Sequence, residues 1–299
     1  MKKVLGIIAA IFLTLSNTAQ EKTDSVKIVA DGAMIIKAGT GFGFTEGPAV
    51  AKDGRIFFTD QPNDKIYCWD EKTGISIFID SCERSNGTFF DKKGNLLACA
   101  DMYNRLVKFT PDGKIIDVYS KGWDTKHLNG PNDLWPDKKG GIYFTDPYFF
   151  RDYWEEGHIE VQDARAVYYL KPNGELTRVI YDYKQPNGII GSPDGKLLYV
   201  ADQGSGTIWR YDINTDGTLT NKTSFAPSGS DGMAIDSEGN VYLTSKTVQV
   251  YAKTGKKITD IAVPEVPANV CFGGKDRKTL FITARTSVYT LQMTVKGAR

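Results

Sequence analysis

Histidine is nearly absent: 299 residues contain two. That scarcity argues against a histidine-built metal centre and against a Ser-His-Asp arrangement, and "SPDG" around Ser192 is a turn, not a nucleophile elbow. Cysteine is scarce as well. Cys68, Cys82, Cys99 and Cys271 form no CxxC pair and no Cys/His metal spacing. Cys68, Cys99 and Cys271 lie in strand-like stretches, where buried free thiols are at least as good an expectation as disulfides. Charge of one sign is missing too: 37 basic against 36 acidic residues leave +1. Neither nucleic acid nor an anionic membrane is expected as a partner.

Long apolar runs are missing everywhere but at the N-terminus, "MKKVLGIIAAIFLTLSNTAQEK". Two lysines precede an apolar run from Val4 to Leu15, and small and polar residues follow. The pattern predicts a signal peptide, residues 1–19, cleaved after Ala19. The run is short for a membrane span. Export to the periplasm or the exterior is expected, with no membrane attachment after cleavage. No helix of useful length is visible.

What is present is a repeat. Aromatics at 12% and 30 glycines favour a turn-rich β protein. One phrase recurs, an Asp-Gly turn and then a strand: "AKDGRIFFTD", "DKKGNLLACAD", "DKKGGIYFTD", "SPDGKLLYVAD", "DSEGNVYLTS" and, more loosely, "GKDRKTLFITA". The turn glycines are Gly54, Gly94, Gly140, Gly195 and Gly239, with Arg277 near that place in the last copy. A short apolar run precedes each phrase and a second strand follows it. Intervals of about 40 to 55 residues are those of a propeller blade. The expected fold is all-β: a six-bladed β-propeller of four-stranded blades, one domain over residues 25–295. The last copy ends near Met293, so its missing strand is expected from residues 25–39. Residues 146–164 are read as an insertion covering one face.

The residues opening the first strand of each repeat are Glu46, Asn86, Asn132, Asn187, Asp231 and Asn269. Any one of these reads as ordinary turn chemistry. Six in register read as a ring at one end of a central channel. Two carboxylates and several amides, with no His or Cys, make an oxygen cage. That suits one hard divalent cation, Ca²⁺ first, then Mg²⁺ or Mn²⁺; Zn²⁺ comes last because it normally recruits His or Cys. His127 could reach the rim, and His158 sits in the insertion. Trp135, Tyr148, Phe149, Tyr153 and Trp154 are candidate pocket walls, with Trp135 as readily core.

At "FTEGPAV", "NGPNDLWPDKKGGIYFTDPYF", "PNGIIGSPDGKLLYVAD", "GSDGMAIDSEGNVYLTS" and "NVCFGGKDRKTLFITA" the sequence resembles the gluconolactonase family, which includes senescence marker protein (regucalcin). It is also similar to calcium-dependent organophosphatases and lactonases. The resemblance runs from about residue 40 to 290. It implies a metal site of Glu46, Asn132, Asn187 and Asp231, with Asp231 also the catalytic base or water-orienting group. Asn86 and Asn269 hold equivalent positions, where some relatives place a His, and together with His127 and Tyr148 are expected to contact substrate. The implied activity is metal-assisted hydrolysis of a sugar lactone, a small-molecule ester, by a monomer or weak oligomer. The alternatives are a non-catalytic calcium-stabilised binding propeller, and a phosphotriesterase or other lactonase using the same ion.

Overall fold

Each repeat phrase folds into a hairpin because its turn glycine enters the left-handed region. Gly54, Gly94, Gly140, Gly195 and Gly239 have φ of +95°, +86°, +92°, +76° and +86°. Arg277 takes the same conformation at φ +62°, so the sixth copy keeps the turn without the glycine. The acid at the head of the turn fixes it. Asp137 Oδ1 accepts from the amides of Lys139 and Gly141, and Asp236 Oδ1 from those of Glu238 and Asn240.

The computed structural model describes residues 27–154 and 159–298. The expected signal segment and His158 lie outside the described residues. The described residues form six four-stranded antiparallel sheets. Their innermost strands are Thr45–Val50, Ser85–Phe90, Leu134–Pro136, Pro186–Gly191, Met233–Ile235 and Asn269–Gly273. Each touches the next in chain order, and the last touches the first, so the sheets close into a six-bladed ring. We number the blades 1 to 6 in that order.

Blade 6 draws its outer strand from the start of the chain, as expected: Ile36–Thr40 pairs antiparallel with Ser287–Gln292, Ile36 opposite Thr290 and Thr40 opposite Ser287. The strand is shorter than the 25–39 segment, and Val29 adds an isolated bridge to Met293.

The core lies between blades. Trp135 belongs to it rather than to a pocket: it is 7% exposed and stacks on Tyr143 at 6.0 Å. All four cysteines are free and buried, and Cys68, Cys99 and Cys271 sit in strands. Among the described residues the only helical pieces are two 3-10 turns, Gln61–Asn63 and Asp101–Tyr103, and no helix is long and apolar enough to cross a membrane.

Candidate functional site

The six inner strands start at one end of the ring, and their opening residues form a closed circuit. Each is tied to the next blade. Thr88 of blade 2 donates its hydroxyl to the carbonyl of Gly47, next to Glu46. The amide of Gly87, next to Asn86, donates to the Asn132 carbonyl at 2.7 Å. The amide of Ile189 donates to Asp133 Oδ2 at 3.2 Å, linking blades 3 and 4. Asn187 Nδ2 donates to Asp231 Oδ1 at 2.8 Å. Gly232 lies against the Asn269 side chain, and Asn269 Nδ2 donates to Glu46 Oε2 at 3.0 Å.

Crowding at the axis explains the glycines in this ring. A Cβ on Gly47 would lie 2.0 Å from the Asn86 carbonyl oxygen. On Gly87 it would meet the Asn132 oxygen at 2.5 Å, and on Gly188 the Asp231 oxygen at 2.8 Å. These Asn-Gly and Glu-Gly steps are not free-standing turns. They allow neighbouring backbones to approach and, through bulges in blades 1, 2 and 4, re-aim the ring side chain.

Four ring members carry the electrostatic strain or its signature. Glu46 is 3% exposed. Burial pushes its carboxyl well above the ordinary range, and the nearby charge of Asp231 adds to the rise, against hydrogen bonds from the Gly47 amide and Asn269. Burial raises Asp231 to about 6, opposed by the Asn187 hydrogen bond and by the charges of Arg151 and Arg285. Asn187 Oδ1 is buried with no hydrogen-bond partner among the described residues. The Asn132 side chain is buried and makes no hydrogen bond among the described residues. Glu46, Asn132, Asn187 and Asp231 thus share one circuit that holds unspent oxygens and like charges.

Asn86 and Asn269 are more committed to the protein. Asn86 Nδ2 donates to Gln61 Oε1 at 3.3 Å. Asn269 spends its nitrogen on Glu46 and its oxygen on the Val270 amide. His127 is exposed, and its Nδ1 faces the Leu128 carbonyl and the Asn104 amide, two groups outside the ring. Tyr148 is half-buried beside Trp154 at 5.9 Å, and its carbonyl accepts from Gln185.

Five contributors were not foreseen. Asp133 stands where four of the other five ring residues are followed by glycine and the fifth, Asn269, by valine. Burial, with some help from Asp231, raises it to about 7, while the amides of Leu134 and Ile189 hold it down. An acid breaking the residue-then-glycine pattern was the available signal. Gln61 supports Asn86, and Gln203 accepts from Asn187 at 3.1 Å; both glutamines follow the closing acid of a second strand. Arg151 and Arg285 come from loops that no repeat phrase marks.

The site fits a hard divalent cation. Among the described residues no three His, Cys, Asp or Glu side chains gather closely enough to hold an ion by themselves, so the amide oxygens are needed. The orphaned Asn187 oxygen and the mutual repulsion of Glu46, Asp231 and Asp133 are what a cation would relieve.

Residues 44–286 match the family model described as the SMP-30/Gluconolactonase/LRE-like region. The chain is 29% identical to a gluconolactonase from Zymomonas mobilis over 284 residues, 85% of this chain and 80% of the relative. It is 26% identical to the diisopropyl-fluorophosphatase of Loligo vulgaris, over 80% of this chain and 84% of that one. A solved gluconolactonase structure from Xanthomonas campestris superimposes with a TM-score of 0.83 at 26% identity, covering 89% of this chain and 91% of its own.

Proposed function

Because this chain belongs to the SMP-30/gluconolactonase/LRE-like family, we propose that it is a metal-dependent hydrolase that opens a sugar lactone at the ring of blade-opening residues. The observation that carries the metal dependence is the unpartnered, buried Asn187 Oδ1 beside two buried carboxyls of like charge, Glu46 and Asp231. The gluconolactonase relatives support the ester class, and similarity to regucalcin, a calcium-binding protein in one solved relative, supports Ca²⁺ as the ion.

Glu46, Asn132, Asn187 and Asp231 would hold the cation, with Mg²⁺ and Mn²⁺ as second choices. Such an ion, when bound, supplies Lewis-acid polarisation of the ester carbonyl. Asn269 holds the Glu46 carboxylate in place. Asn187 holds one oxygen of Asp231. Asp231 also lines a cavity of about 160 Å³ with Phe44, Pro267 and Arg285, which puts it within reach of a substrate. It accepts the proton of the attacking water, or orients that water, from there. Asn86, steadied by Gln61, offers its amide oxygen to a substrate hydroxyl.

The test is hydrolysis of glucono-δ-lactone before and after EDTA treatment, with Ca²⁺ returned. Activity that disappears with the ion and comes back with it supports the proposal. Ion binding without turnover on any lactone points to the binding propeller instead. The fluorophosphatase relative favours one further arm: turnover of an organophosphate in place of lactones would move the assignment to phosphotriesters. The N-terminal segment supports a proposal of export, which sequencing the mature N-terminus of secreted material tests.

A further inference from the structure

Four acids stand at the ends of second strands: Asp60, Asp146 and Asp202 close theirs, and Asp101 directly follows Leu96–Ala100 in blade 2. Three of these bind the backbone that enters their own blade. Asp60 accepts from Gly43 and Phe44, Asp146 from Asn129 and Gly130, and Asp202 from Lys184 and Gln185. In blade 2 the entering backbone goes elsewhere: the Arg84 amide donates to Asp64 Oδ1 at 2.6 Å. Asp101 is turned to another task. Its Oδ2 accepts from Arg151 Nε at 2.7 Å, Tyr153 Oη at 2.7 Å and Gln61 Nε2 at 3.1 Å, and its backbone carbonyl accepts from Trp154 Nε1. One buried carboxylate of blade 2 therefore pins the blade 3 insertion. Gln61 connects that pin to the ring, because its other end accepts from Asn86.

Beside the pin lies a cavity of about 500 Å³ lined by Gln61, Arg84, Arg151, Asp152 and Tyr153, among others. Its two guanidiniums are held but not saturated. Arg151 spends Nε on Asp101, and its two terminal nitrogens have no hydrogen-bond partner among the described residues. Arg84 spends Nη1 on the carbonyls of Gln61 and Pro62, and its guanidinium lies over the Tyr153 ring at 5.0 Å. Among the described residues Arg84 has no carboxylate within ion-pair distance. Among the described residues Asp152 is the one acid on the lining, at an exposed position. A guanidinium anchored through one nitrogen presents the rest of its fork as a ready receiver for an oxyanion.

We propose that the Arg84–Arg151 cavity is the subsite for an acidic substituent of the substrate, so that the preferred lactone carries a carboxylate or a phosphate monoester away from its ester. This rests on the lactone assignment of the ring. The cavity adjoins that ring through one chain of side-chain hydrogen bonds, Asn86 to Gln61 to Asp101 to Arg151. An ester at the ring and an anion at Arg151 fall within one small molecule. The neutral Gln61 amide on the cavity lining does not compete for the anion.

The test compares kcat/KM on glucono-δ-lactone, glucarolactone and 6-phosphogluconolactone for the native protein, Arg151→Gln and Arg84→Gln. The native protein is expected to favour at least one acidic lactone by about tenfold or more. Each variant is expected to collapse that ratio, chiefly through KM. The carboxylate and phosphate arms say which anion is meant. A native enzyme that treats neutral and acidic lactones alike, or variants that lose both by the same factor, overturn the subsite while the lactonase assignment stands. Failure to hydrolyse any lactone overturns the ring assignment. Calorimetry with glucarate and 6-phosphogluconate then decides the subsite by itself: binding weakened in Arg151→Gln supports it, and no binding overturns it.

Discussion

Asn187 gives its side-chain nitrogen to Asp231 Oδ1 at 2.8 Å and leaves its own oxygen buried and unpartnered. The hydrogen bond fixes which end of the amide faces which way. An orphaned buried acceptor costs about 1–3 kcal/mol, so the arrangement is unfavourable until a donor or a cation arrives. Replacing Asn187 with alanine should therefore cut Ca²⁺ affinity by at least about tenfold. A calcium titration of the two proteins checks this.

Glu46 and Asp231 should separate by role. Glu46 is locked between the Gly47 amide and Asn269, a ligand's setting. Asp231 lines a cavity as well as the ring. Glu46→Gln is expected to lose the ion and, with it, activity. Asp231→Asn is expected to lose about a hundredfold or more in kcat, at least as much as it loses in ion affinity. Lactonase rates and ion content, measured side by side, read both.

Metal-free stability should fall as pH rises. Asp133 and Asp231 are raised by burial to about 7 and about 6, and Glu46 is raised as well. A carboxyl raised in the folded state keeps its proton after the unfolded chain has lost its own. Its stabilising contribution is fully present below the ordinary carboxylate range and is lost as pH climbs to the folded value. Melting temperature without metal is thus expected to drop between about pH 4 and 7. Asp133→Asn should flatten part of that drop. Added Ca²⁺ should raise the melting temperature more at pH 8 than at pH 5, because it needs the ionised carboxylates.

Much of this architecture was legible in the chain. The Asp-Gly phrases mark six hairpins because a left-handed turn demands glycine, and Arg277 shows the demand is conformational rather than chemical. The ring followed from register: residues that open equivalent strands must converge in a closed propeller. Asp133 was hidden because an Asn-Asp step looks like turn chemistry until the neighbouring glycines are seen to be packed against backbone. Gln61, Arg84 and Arg151 were hidden for another reason. They lie beyond the strands, where no two-residue alternation says which way a side chain points. The Asp101 pin depends on a contact between blades 2 and 3 that no local pattern encodes.

The crowding at the axis makes its own prediction. Gly47 has φ +44°, and a Cβ there would meet the Asn86 carbonyl at 2.0 Å. Gly47→Ala is expected to destabilise by about 3 kcal/mol, a fall in melting temperature of about 6 °C or more. Gly94→Ala tests the contrast: its Cβ position is open, so only the backbone term remains and the loss should be smaller. Thermal melts of the two variants rank the effects.

The most direct measurement is calcium calorimetry on the intact protein and on Glu46→Gln, at neutral pH after stripping with EDTA. One tight site per chain in the native protein, absent in Glu46→Gln, is the expected result. A native protein that takes up no divalent ion, or a variant that binds it as well as the native protein does, would contradict the account.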